Sequence, residues 1–143
     1  MNVTSRKSLW AGRTLSGLAI LFLLFDSVIK FFPIPAVTDS FTQLGYPTRL
    51  AVTIGVLELV CLAIYVVPRT SLLGAVILTG YLGGAIATHV RVGNPLLSHV
   101  LFPTYVAALI WGGLYLRNER LRALLRNPQV AQSPNFHIQL TER

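Results

Sequence analysis

The sequence predicts an all-α, polytopic membrane protein: a bundle of four transmembrane helices, with a short extracytoplasmic amphipathic helix between the first and second. Three observations carry this. Of 143 residues, 53% are hydrophobic and only 12% are charged, against roughly a quarter charged in an average soluble chain. Too few charges remain to clothe a water-facing surface, and the mean hydropathy of +0.62 agrees. Four apolar stretches each approach the ~20 residues that cross ~30 Å of hydrocarbon. The basic residues gather at the ends of those stretches.

The stretches run over 14–32, 50–67, 72–90 and 96–116. Inside lipid every backbone polar group must be satisfied within its own segment, so runs of this length are helices. Pro33 and Pro35 stop the first, Pro68-Arg69 the second, Gly93-Asn94-Pro95 the third and Arg117-Asn118-Glu119-Arg120 the fourth. The first has the basic flank and apolar run of a signal peptide. It lacks a small-residue cleavage site and carries Asp26 and Lys30, so it reads as a retained anchor. Between the first two stretches, Val37, Phe41 and Leu44 share one helical face and Gly45 is a natural stop. Residues 1–126 thus form a single four-helix transmembrane domain. Residues 127–143, polar and without period, read as a mobile cytoplasmic tail.

Charge gives the orientation. Arg6, Lys7, Arg13, Arg69, Arg117, Arg120, Arg122 and Arg126 fall on one side of a four-span chain, and Lys30, Arg49 and Arg91 on the other. Eight against three puts both termini in the cytoplasm of a multi-pass cell-membrane protein. The net charge of +7 is therefore juxtamembrane, where it meets lipid headgroups. A nucleic-acid partner is not expected, since a basic stripe with interleaved aromatics on a soluble fold is missing. Cys61 is the single cysteine, which excludes an internal disulfide and dithiol electron shuttling. It reads as a small packing residue.

The residues that invite a function are polar ones inside the apolar stretches: Asp26, Lys30, Glu58, His89, Arg91 and His99. A charge at the bilayer centre costs at least ~2.5–3.5 kcal/mol, so such groups face the bundle and seek partners. At 1.5 Å per residue, Asp26 and Lys30 lie roughly 18 and 24 Å from the cytoplasmic end of their helix, and Glu58 roughly 12 Å below the outer end of its own. His89 and Arg91 close the third helix and His99 opens the fourth. All six converge on the outer half.

Asp26 and Lys30, four apart, share a helical face. Glu58 has no partner on its own helix. It either pairs across helices, with Lys30 or Arg91, or stays protonated. A structural ion pair and a ligand-binding or proton-handling role are both open. Arg91 falls nearer the Gly80-Gly84-Thr88 face, a small-x-x-x-small stripe through which a homo-oligomer could form. His89 and His99 are the only pair that could hold a haem iron, and nothing else marks a haem or other metal site. Tyr46, Tyr81, Tyr105 and Trp111 could line a pocket or serve as interface and packing residues. No phosphate loop, dinucleotide fingerprint or nucleophile elbow is present.

Through these residues the chain resembles the DoxX-like family of small four-helix membrane proteins. The resemblance rests on Asp26 to Lys30, Leu44-Gly45-Tyr46-Pro47, Gly55-Val56-Leu57-Glu58-Leu59 with Pro68-Arg69, and Gly84-Ala85-Ile86-Ala87-Thr88-His89-Val90-Arg91 before Gly93-Asn94-Pro95. It covers about Leu15 to Arg117. It implies a redox-associated or quinone-binding membrane module, a subunit or accessory of a membrane oxidoreductase. A non-enzymatic partner or assembly factor is the alternative, and a small proton or solute transporter the third. No catalytic role transfers residue by residue.

Overall fold

A computed structural model describes residues 6–126. It is all-helical among those residues: α1 (Arg6–Ile29), α2 (Pro35–Gln43), α3 (Leu50–Val66), α4 (Ser71–Arg91), one turn of π-helix (Leu96–Val100), α5 (Phe102–Arg117) and α6 (Glu119–Arg126). Three helical stretches, Arg6–Ile29, Ser71–Arg91 and Leu96–Arg117, are long and apolar enough to cross a membrane, and Leu50–Val66 is a shorter apolar helix. The expected tail over 127–143 lies outside the described residues.

The four long helices pack as a ring: α1 lies against α3 and α5, and α4 against α3 and α5. Ala19, Leu23, Leu62, Leu78, Ile110 and Leu114 fill the centre. Leu21, Val56, Val60, Leu73 and Val76 stand exposed on the outside, as a lipid-facing surface requires. One polar junction crosses this core. The buried Tyr65 hydroxyl donates to the Ile110 carbonyl (3.1 Å) and, its proton spent, accepts from Ser16 Oγ (3.0 Å), tying α3 to α5 and α1. Arg117 stacks over the Tyr65 ring at 5.3 Å.

Three details depart from the sequence reading. The first helix begins at Arg6 rather than near residue 14 and ends at Ile29. Hydropathy marks the part suited to hydrocarbon, whereas Arg, Lys and Leu sustain a helix well beyond it. The fourth stretch is broken, the chain making a π turn over Leu96–Val100 before the regular α5. Pro103 lacks an N–H and crowds the carbonyl four residues back, so a continuous helix cannot form there. Finally, Glu119–Arg126 is a helix. Asn118 Oδ1 accepts from Leu121 N (3.1 Å) as an N-cap, Glu119 occupies the first turn, and Leu121 is buried against the core. This capping pattern was readable in the sequence.

Both glycine-ended helices finish in the same way. After α2, Tyr46 N bonds Phe41 O (2.8 Å) and Gly45 N bonds Thr42 O (2.9 Å), with Gly45 at φ +71°. After α4, Asn94 N bonds His89 O (3.0 Å) and Gly93 N bonds Val90 O (3.1 Å), with Gly93 at φ +70°. These are Schellman motifs, in which a left-handed residue satisfies the terminal carbonyls. The Phe41 and Tyr46 rings, 6.4 Å apart, form the apolar contact that accompanies the first.

Gly74 and Gly80 have opposite environments on α4. A methyl group on Gly74 would overlap the Tyr65 and Ile64 backbone, whereas one on Gly80 would meet nothing within 4 Å. We expect Gly74→Ala to lower stability by about 1–3 kcal/mol through overpacking. Gly80→Ala should hold or raise it by up to about 1 kcal/mol through helix propensity. Unfolding of the two variants in detergent micelles checks the contrast.

Candidate functional site

Lys30, in the turn that ends α1, reaches across to α3. Its ammonium donates to Glu58 Oε2 (2.8 Å), to Asp26 Oδ2 and to the Asp26 carbonyl (3.2 Å). Its three protons thus have three acceptors. The spacing of four explains Asp26, which lies one turn back on the same face. The reach to Glu58 depends on Gly55, one turn before it. There the α1 backbone comes so near that an added methyl would lie 2.9 Å from Ser27 O and 3.1 Å from Lys30 Cβ. From α4, Tyr81 donates its hydroxyl proton to the same Glu58 oxygen (2.9 Å). Glu58 is fully buried, and its other oxygen, Oε1, has no hydrogen-bond partner among the described residues.

Beside this cluster lies a cavity of about 820 Å³ bounded by α1, α2, α3 and α4. Phe25, Ile29, Val37, Phe41, Leu57 and Ile77 give it apolar walls. Asp26, Lys30 and Tyr81 supply polar atoms on one side, and Tyr46, Thr88 and His89 on another. Gly80 and Gly84 open onto it, and a Cβ on either would meet nothing within 4 Å. The small-residue face of α4 thus borders an open cleft of the chain. Cys61 is buried in the core and reaches the cavity wall.

The sequence-selected residues fall into two groups. Asp26, Lys30 and Glu58 come together, with Lys30 rather than Arg91 as the partner of Glu58. Arg91 instead donates to the Leu44 carbonyl at the end of α2 and sits 5.5 Å from the centre of the Tyr46 ring. It fastens α2 over the cavity without lining it. His89 and His99 meet edge to face, ring centroids 5.7 Å apart. Asn94 Nδ2 donates to His89 Nδ1 (2.8 Å), and Ser98 Oγ lies 2.8 Å from His99 Nδ1. Among the described residues no group of three or more His, Cys, Asp or Glu could hold a metal ion.

Of the aromatic candidates, Tyr46 and Tyr81 line the cavity. Tyr105 stands exposed, and Trp111 donates to Thr79 Oγ1 (2.9 Å) elsewhere. The sequence reading kept Tyr81 as a pocket-lining aromatic and did not join it to Glu58. The signal was present: Tyr81 is roughly 15 Å below the outer end of α4, close to the depth of Glu58 in α3.

The Lys30–Glu58 contact can be tested on the fold itself. Lys30→Met should destabilise the protein by about 3–5 kcal/mol, because a buried carboxylate loses its counter-ion. Adding Glu58→Leu should recover most of the loss, as an apolar pair replaces an ionic one. Denaturant titration of both variants in micelles checks this; equal stability of the two would mean the pair carries no such weight.

The profile of the DoxX-like family matches residues 14–113. No match was found among curated proteins or among solved structures.

Proposed function

The chain belongs to the DoxX-like family, and on that premise we propose that it holds a quinone or similar lipophile as a module or accessory of a membrane redox system. One observation carries the proposal: a largely apolar cavity of about 820 Å³ edged by Asp26, Lys30 and Tyr81. Small-molecule sites commonly occupy ~300–1,000 Å³ and combine apolar walls with a few convergent polar groups. Ionisable residues deep in a membrane bundle are costly and usually functional. In this reading the isoprenoid or alkyl part of the ligand lies against Phe25, Ile29 and Ile77, and the ring approaches the polar edge. Asp26, Lys30 and Glu58 act as the ligand-binding and proton-handling set. His89 stands at a further edge of the cavity. Arg91 and His99 act from outside, through α2 and through the loop between α4 and α5.

The accompanying topology has four spans, α3 included, with both termini cytoplasmic and α2 on the outer surface. It is supported by the eight-to-three distribution of Lys and Arg. With Cys61→Ser as background, Thr42→Cys should react with a membrane-impermeant maleimide added to intact cells. Thr70→Cys should react only after permeabilisation. The reverse pattern would invert the topology.

Ligand binding is tested by filling the hollow without touching the polar cluster. Gly84→Leu adds a side chain where a Cβ meets nothing, so its melting temperature should stay close to that of the parent. Its affinity for a short-tailed quinone, measured by titration calorimetry in nanodiscs, should fall at least about tenfold, roughly 1.4 kcal/mol. A folded Gly84→Leu protein with unchanged quinone affinity would remove the cavity from the function. A stoichiometric protein partner co-purifying with no lipophile would favour the assembly role.

A further inference from the structure

The hydrogen-bond inventory of the cavity has a direction. Lys30 has spent all three ammonium protons on Asp26 Oδ2, the Asp26 carbonyl and Glu58 Oε2. Tyr81 has spent its hydroxyl proton on Glu58. Thr88 Oγ1 donates to the Gly84 carbonyl (2.9 Å), so in its 3.0 Å contact with Tyr46 the tyrosine is the donor. Ser40 Oγ donates to the Ala36 carbonyl (2.6 Å). Each of these protons is committed inside the protein: the Lys30 ammonium has none left for a ligand, and the hydroxyls of Tyr46, Tyr81, Thr88 and Ser40 turn lone pairs toward one.

Asp26 adds to the imbalance. Its Oδ2 is held by Lys30, while Oδ1 takes no hydrogen bond from the described residues and the side chain is 41% exposed. Within the cluster one ammonium faces two carboxyl groups. Two lining groups keep a proton to offer. His89 accepts from Asn94 at Nδ1, which leaves its ring proton on Nε2. The Cys61 thiol is only a weak donor.

We infer that the cavity selects a ligand whose polar end donates hydrogen bonds, and that a membrane hydroquinone is held in preference to its oxidised quinone. A hydroquinone brings two O–H donors to a wall made mostly of acceptors, whereas a quinone brings two carbonyl oxygens for which only the His89 ring proton and the weak Cys61 donor remain free. At the Asp26, Lys30 and Tyr81 edge, pairing a quinone carbonyl would require breaking an internal bond, and an unmade buried hydrogen bond is the expensive case. The same wall disfavours a carboxylate or phosphate headgroup, which would meet Asp26 as a like charge. This inference rests on the lipophile-binding reading above and adds the redox state and donor character of the occupant.

The test uses the full chain in nanodiscs and three probes with one short alkyl tail: a benzoquinone, its hydroquinone kept reduced anaerobically with excess reductant, and the hydroquinone di-O-methyl ether. The expected result is hydroquinone binding at least about tenfold tighter than the quinone or the ether, the scale of one charge-assisted hydrogen bond. Asp26→Asn, which puts an amide donor where a bare acceptor stood, should bring the quinone and hydroquinone affinities to within about threefold. Quinone or ether binding as tightly as the hydroquinone would overturn the inference and leave the lipophile site standing. No measurable binding of any of the three would overturn both.

Discussion

A carboxyl group with no exposed surface, set in a bundle whose outer side is apolar, is the constraint around which this molecule is arranged. One oxygen of Glu58 receives Lys30 from the end of α1 and Tyr81 from the middle of α4, so three helices are registered on a single atom. Near the C-terminal end of α3, Tyr65 does the equivalent with Ser16 on α1 and the Ile110 carbonyl on α5. Apolar packing between helices tolerates sliding, because one branched side chain in a groove resembles the next. Hydrogen bonds in a dry interior do not tolerate it. Two polar junctions about two turns apart on one helix, at its middle and near its C-terminal end, therefore fix both its height and its rotation. The apolar residues between them supply contact area.

The cavity follows from this arrangement. With α1 and α4 both drawn toward Glu58, Gly80 and Gly84 contribute no side chains, and the space they leave is not filled by a neighbouring helix. The short α2 covers it through Val37 and Phe41. At its C-terminal end α2 is fastened by Arg91, which takes a carbonyl from the first Schellman motif and the Tyr46 ring just after it. The residue that grips α2 stands only two positions before the glycine that ends α4. One cation thus joins two helix terminations, and the roof of the cavity is tied to the stability of both.

Much of the architecture was legible because lipid exposure writes itself into hydropathy, and because Pro33, Pro68, Gly93 and Gly45 punctuate the chain where helices must stop. Helix ends beyond the hydrocarbon were not legible in the same way, as α1 shows by starting at Arg6. The pairing of Glu58 was narrowed by depth to Lys30 or Arg91. Choosing between them needed knowledge of where Arg91 could go instead. Its partner is a backbone carbonyl, a group every residue carries, so no sequence pattern announces it. Gly80 and Gly84 were legible as a small-residue face, but not as a wall of the cleft beside Tyr81, because small residues four apart do not say what stands opposite them. The helix α6 was missed despite a visible cap, because its arginines were read only as charge.

The length of α3 has a consequence for the surrounding lipid. Seventeen residues rise roughly 26 Å, several ångströms less than the hydrocarbon thickness of an average bilayer. That shortfall falls at the ends of α3, where acyl chains must compress or flanking polar groups must stretch outward. Such mismatch costs a fraction of a kcal/mol per ångström. It would bias the protein toward thinner regions of its membrane, where headgroup water stands nearest to Asp26.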